Sequence, residues 1–174
     1  MRYPVIIFLL LHLFIATVLA AGSRSPEMVD EDDLLVPVNL KLPVSNNMPA
    51  LGRLSKKNRV PILLMFATED CHYCKRLEAE VLGPMRKAGV DPKRVILRKV
   101  MMDQYDELHD FDGNIRNAEG FAIVRGIEVV PTLQLLDAAG NELVPKIVGY
   151  QTPGFYNDYL EKAIKVSDAL LKGK

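Results

Sequence analysis

The stretch LLMFATEDCHYCKRL, residues 63–77, constrains the fold more than any other part of the chain. An apolar run long enough for a buried strand gives way to a short polar turn, and a Cys-x-x-Cys then opens a segment with helical periodicity. Two cysteines three positions apart at the first turn of a helix lie close enough for their sulfurs to bond. The first thiol also faces backbone N–H groups that have no partner within the helix, and these, with the helix dipole, favour a thiolate at Cys71. Cys71 and Cys74 are the only cysteines in the sequence. A structural disulfide across so short a loop adds little stability, and one Cys-x-x-Cys supplies half of a four-ligand zinc site. The pattern therefore reads as a redox pair.

At the N-terminus Arg2 precedes an apolar stretch over residues 5–19, and small residues follow at Ala16, Ala20 and Ala21. This reads as a signal peptide over residues 1–20 with cleavage after Ala20, placing the protein in the periplasm or an equivalent exported compartment. The competing reading is an uncleaved N-terminal membrane anchor. In an oxidising compartment a cysteine pair of this kind has thiols and disulfides to exchange.

The residues after the signal suffice for one domain. Basic and acidic residues balance at 22 each, with no basic stripe and no Gly-rich phosphate loop, which argues against nucleic acid as a partner. Residues 21–45 read as a flexible or extended lead-in: an acidic stretch, then an apolar one broken by Pro37 and Pro43, suited to an edge strand or a segment laid on the domain. Residues 46–174 then form the folded domain. Asn47 and its neighbours offer N-cap chemistry for a short helix ending near Asn58, and a strand is expected over 60–67. The helix after Cys74 is amphipathic and is expected to kink or end at Gly83-Pro84. A second strand is expected over 95–102, an irregular acidic stretch with turn chemistry over 103–114, and a helix over 118–125. A strand over 133–136, a turn at 138–141 and a returning strand over 143–148 make a hairpin. A last helix over 154–171 has Phe155, Tyr159, Ile164 and Leu170 as candidate buried residues. This order gives an α/β fold, a mixed central sheet with helices on both faces.

From residue 60 onward the chain resembles the thioredoxin superfamily. The resemblance is carried by the strand-turn Cys71-His72-Tyr73-Cys74-Lys75, the step Val130-Pro131-Thr132 and Gly149 at the end of the hairpin. It implies a thioredoxin-like fold in which Pro131 is cis and faces Cys71, with the Val130 backbone offering hydrogen bonds to an extended substrate segment. Residues 108–113 resemble an insertion of exported thioredoxins found with sulfur-oxidation systems. Residues 149–153, and the tyrosine before the second cysteine, are similar to these proteins and to the catalytic domain of periplasmic disulfide isomerases. Two departures stand out. Met65 occupies the position, six before Cys71, where thioredoxin carries a buried acid, and the chain contains no tryptophan.

The resemblance implies a protein thiol–disulfide oxidoreductase. Cys71 is the expected nucleophile and Cys74 the resolving thiol, with His72 and Tyr73 as modulators. Reduction of disulfides in exported proteins comes first among its directions, with oxidation and isomerisation as alternatives. Expected partners are protein or small-molecule disulfides and dithiols and a membrane thiol electron donor or acceptor, the chain itself acting as a monomer. No metal or organic cofactor is needed for this chemistry. Two readings from other classes stay open: a copper or zinc binding or delivery protein using the cysteine pair and a histidine, and a thioredoxin-fold binding module without turnover. His109, in an acidic turn, reads as a surface histidine.

Overall fold

The computed structural model describes residues 38–105, 107–151 and 153–173. The expected signal peptide, its cleavage point and the lead-in up to residue 37 lie outside the described residues. Among those described, no helix is long and apolar enough to cross a membrane.

The sheet contains four strands in the order β2-β1-β5-β6, where β1 is Ile62–Ala67, β2 Ile96–Met101, β5 Thr132–Leu136 and β6 Ile147–Val148. β1 and β2 run parallel, while β5 is antiparallel to β1 and β6 to β5, so the sheet is mixed as the element order implies. β1 is buried along its whole length, the continuous apolar run expected of a strand covered on both faces. Because side chains alternate, Leu63, Met65 and Ala67 join one core layer while Ile62, Leu64 and Phe66 join the other. The first layer packs against α2 (His72–Leu77) and its continuation, and against α5 (Pro153–Leu171). The second packs against α1 (Met48–Asn58) and α4 (Ala118–Val124), where Phe66 stacks on Phe121 with centroids 6.0 Å apart.

The helix caps follow from local sequence. The Asn47 side chain accepts from the Ala50 N–H at 3.0 Å and that of Asn117 from the Gly120 N–H at 2.7 Å, each satisfying a donor the helix leaves free. Gly52 is required by close approach, because a Cβ there would run into the Ala138 carbonyl.

Several expectations are corrected. The helix after Cys74 does not end at Gly83-Pro84: it widens into a π-helical turn at Glu78–Leu82 and continues as α3, Gly83–Lys87. The wider turn carries the chain past a proline that has no N–H to donate, and the Gly83 N–H bonds back to the Glu78 carbonyl. The stretch expected to be irregular contains a two-stranded hairpin, β3 (Leu108–His109) with β4 (Ile115–Arg116). Its organiser is Asp110, whose carboxylate accepts from the backbone N–H groups of Asp112 and Asn114 and from the Arg116 Nε at 2.8 Å. The returning strand is shorter than 143–148, with Pro145 in the middle unable to donate to the ladder. In α5 the buried face is Tyr156, Leu160, Ile164 and Ser167, so of the four candidates only Ile164 is in the core. Phe155, Tyr159 and Leu170 are exposed because the helix docks about one residue round from the expected stripe.

The described end of the lead-in packs on the domain. Residues 38–40 make a 3₁₀ turn, Leu42 is buried in the core, and Pro43 and Ser45 exchange backbone hydrogen bonds with Lys99 of β2.

Candidate active site

The site is built where β1 ends. Thr68, Glu69 and Asp70 turn the chain out of the sheet, and the Glu69 N–H donates to the Asp103 carboxylate at 2.8 Å, holding the turn against the segment that follows β2. Cys71 is the N-cap of α2, and its sulfur accepts the Cys74 N–H at 3.1 Å. Cys71 and Cys74 are joined by a disulfide, with Cα atoms 5.2 Å apart. The two sulfurs sit differently: Cys74 is 3% exposed inside the core, whereas Cys71 is half-buried at its edge. A hydrogen bond donated to Cys71 and its place at a helix start both favour negative charge on that sulfur once the bond is reduced. The Glu69 carboxylate, which opposes that charge, is engaged by Gln104 Nε2 at 3.1 Å.

His72 and Tyr73 follow on the first turn with their rings edge to face at 5.8 Å. Tyr73 is exposed and His72 half-buried. The Val130–Pro131 peptide bond is cis. Pairing of Phe66 with Thr132 carries Pro131 to the level of Ala67, beside the turn that leads to Cys71. Pro131 is buried, and Val130 packs against the same core layer as Cys71. The segment is fixed from both sides: Gly149, at φ +77°, donates its N–H to the Pro131 carbonyl at 2.8 Å, and the Thr132 hydroxyl donates to the Val129 carbonyl at 2.6 Å. Among the described residues no backbone hydrogen bond engages the Val130 N–H or C=O. Sheet register thus gathers Cys71, Cys74, Val130 and Pro131 at one end of the sheet, with His72 and Tyr73 on the adjoining turn.

Tyr150, beside the site, is a packing residue. It is buried, its hydroxyl donates to Glu80 at 2.6 Å, and its ring meets Tyr156 edge to face at 4.9 Å with the Arg76 guanidinium 5.6 Å from its centroid. Burial and the Glu80 carboxylate push the Tyr150 hydroxyl up to about 12. Glu80 itself is held below the usual carboxylate range by hydrogen bonds from Arg76 and Tyr150. His109 is partly exposed, with Nε2 3.4 Å from Glu107. Among the described residues, no group of three or more His, Cys, Asp or Glu side chains is placed to hold a metal ion.

Sequence reasoning missed one feature beside the cysteines. Glu78 and Lys99 form an ion pair under α2, with Lys99 Nζ 3.0 and 2.9 Å from the two carboxylate oxygens. The signal was present in the sequence: Lys99 interrupts an otherwise apolar alternation in β2, and Glu78 lies one helical turn after Cys74 on its buried face.

Among solved structures the chain is similar to thioredoxin O2 of Arabidopsis thaliana in its oxidised state, at 20% identity over 69% of this chain and 91% of that one, with a TM-score of 0.46. It is also similar to the short form of thioredoxin f from spinach chloroplast, at 22% identity over 72% and 93% with a TM-score of 0.49. A third similar structure is the thioredoxin of Malassezia sympodialis, at 18% identity over 74% and 92% with a TM-score of 0.49. Among curated proteins, no relative matches the sequence. The Thioredoxin-like domain family matches residues 50–164, a span that runs from α1 through the cysteine pair and the Pro131 step into α5, and the chain belongs to that family.

Proposed function

We propose that the protein is an exported thiol–disulfide oxidoreductase that reduces disulfides in exported proteins. The observation that carries this reading is the asymmetric cysteine pair: a half-buried Cys71 capping a helix, bonded to a Cys74 sealed in the core. In the reduced protein, Cys71 thiolate attacks one sulfur of a substrate disulfide and the other leaves as thiolate. Cys74 thiolate then attacks Cys71, closing the Cys71–Cys74 bond and releasing the second substrate sulfur. Two electrons pass from the dithiol to the substrate, and a thiol donor on the membrane side restores the pair. An extended substrate segment is held by the free Val130 N–H and C=O beside Pro131, while His72 and Tyr73 border Cys71 and tune its exposure.

Trapping tests the reading. With Cys74→Ala, mixed disulfides with client proteins accumulate on Cys71, and with Cys71→Ala none do. In the reduced wild type, iodoacetamide near neutral pH labels Cys71 well ahead of Cys74, whose thiol is inaccessible. Equal labelling, or trapping on the wrong cysteine, overturns the mechanism. Equilibration against glutathione fixes the direction: a potential near about −270 mV supports a reductant, and one near about −120 mV an oxidant. Export is tested by mass spectrometry of the natively produced protein, which should begin at Ala21.

A further inference from the structure

The chain balances 22 basic against 22 acidic residues, yet the folded domain separates unpaired charge along its sheet. Where β1 runs out, Glu69 and Asp70 stand exposed in the turn immediately before Cys71. The Asp103 carboxylate meets the same turn through the Glu69 N–H, and the Met102 N–H, bonded to the Ala67 carbonyl at 2.9 Å, ties the chain after β2 alongside. Glu128, also exposed, lies two residues before Val130. None of these carboxylates is in an ion pair with a described residue. The cations next to Cys71 in the chain are His72 and Lys75, both half-buried, and Arg76, which is occupied by Glu80 at 2.9 Å. The far end of the sheet has the opposite sign. Lys56, Lys57 and Arg59 lead into β1, Lys93 and Arg94 lead into β2, and parallel pairing of Ile62 with Ile96 sets both approaches side by side. Lys165 of α5 and Lys172 just after it line one cavity with Lys93 and Arg94. Glu161 and Asp168 pair only with Arg94 and Lys172, so the other cations of this end have no ion-pair partner among the described residues.

Activation of Cys71 does not account for the acidic rim, because carboxylates beside a thiol disfavour its thiolate, and a surface built only to activate the sulfur would have the other sign. Stability does not account for it either, since exposed charges interact weakly through water. The separation acts instead on whatever approaches: the field turns a charged molecule before contact, drawing a cation to the Cys71 end and repelling an anion from it. Tyr73 on the first turn of α2 and Val129 before Pro131 are each more than half exposed, apolar surface beside the free Val130 backbone. We propose, resting on the oxidoreductase reading of the site, that the disulfides it reduces belong to cationic segments, with Lys or Arg close to the substrate cysteine, and that Glu69 and Asp70 set this preference. The reaction is unchanged by it. Cys71 thiolate bonds to one substrate sulfur, the other leaves as thiolate, Cys74 closes the disulfide, and two electrons pass to the substrate. Glu69 and Asp70 meet the substrate's charged side chains and not its sulfurs, so they determine specificity and take no part in the bond exchange.

Small disulfides that differ in charge test the preference. The reduced protein is mixed with cystamine, which is cationic, with oxidised glutathione, which is anionic, or with hydroxyethyl disulfide, which is neutral, and the loss of its thiols is timed by alkylation and mass. Raising salt from about 0.01 M to about 1 M shortens the screening length from about 30 Å to about 3 Å. It should slow the reaction with cystamine, speed that with glutathione and leave the neutral disulfide nearly unchanged. The Cys71 thiolate adds to this trend by its own charge, so variants isolate the rim. In Glu69→Gln/Asp70→Asn at low salt, the ratio of the cystamine rate to the glutathione rate should fall about threefold or more. A change in the amount of thiolate moves all three substrates together and cancels in the ratio. A smaller fall overturns the proposal and leaves the oxidoreductase reading intact, whereas a wild type that reduces none of the three sinks that reading and the proposal with it. If the double variant does not fold, Asp70→Asn decides, since it alters one exposed side chain of the turn. Its ratio should fall about twofold or more, and a smaller fall overturns the proposal.

Discussion

Met65 shows how one residue divides what a sequence can announce from what only packing reveals. Its position six before Cys71 is where the family resemblance leads one to seek an acid, and the sequence shows at once that the acid is gone. What the sequence does not announce is that a carboxylate re-enters the same layer from the helix, since Glu78 on a surface helix would ordinarily be solvated. Only the register of Met65 against Lys99 places the cation there. Met65 has no exposed surface, so Met65→Ala should cost about 2–5 kcal/mol in urea unfolding through lost burial and the cavity left behind. Tyr150→Phe tests a different kind of contact. It removes a hydrogen bond to a carboxylate that stays largely in water, so the expected loss is about 1 kcal/mol in the same measurement, with thiol exchange by Cys71 unaffected.

Among the elements, those with an unbroken signature were legible. Continuous apolar runs gave β1 and β2, the Asn47 cap gave α1, and the turn at Gly140 gave the hairpin that β5 begins. The failures have physical causes. A helix with apolar residues on neighbouring stripes, as α5 has at Phe155 and Tyr156 or Tyr159 and Leu160, does not state which stripe docks; the sheet decides. Ile164→Ala should therefore cost about 2–4 kcal/mol while Phe155→Ala stays within about 0.5 kcal/mol, and denaturation midpoints that coincide for the two would contradict the docked face. The 108–116 hairpin was hidden because its organising contacts come from a charged side chain that a sequence reading assigns to solvent. Burial raises the Asp110 carboxyl, but hydrogen bonds from Arg116, Asn114 and the Asp112 backbone outweigh it and hold the group below the usual carboxylate range. A carboxyl depressed in the folded state contributes stability above its unfolded value, ~3.9, and loses it as pH falls through the lower folded value. Amide protection factors, exchange rates divided into the unprotected rate at the same pH, should fall at residues 108–116 below about pH 4 ahead of β1 and β2, and Asp110→Asn should show the lower protection already at neutral pH.

For the domain as a whole, the site depends on contacts that converge from distant parts of the chain. The cysteine pair stands on β1, the Pro131 step is brought to it by antiparallel pairing with β5, and the Pro131 carbonyl is tied to Gly149 after β6. The segment ahead of α1 belongs to the same construction. Leu42 is buried in the layer that holds Cys74, its N–H meets Glu78, and a Cβ at Gly83 would collide with Leu40. A chain beginning at residue 46, the boundary expected from sequence, would uncover that layer and leave the Glu78 carboxylate without its backbone donor. Compared with a chain beginning at residue 38, it should lose about 2–4 kcal/mol, from one buried leucine and one hydrogen bond to a charged group. Matching unfolding curves for the two chains would show that residues 38–45 rest on the domain without supporting it.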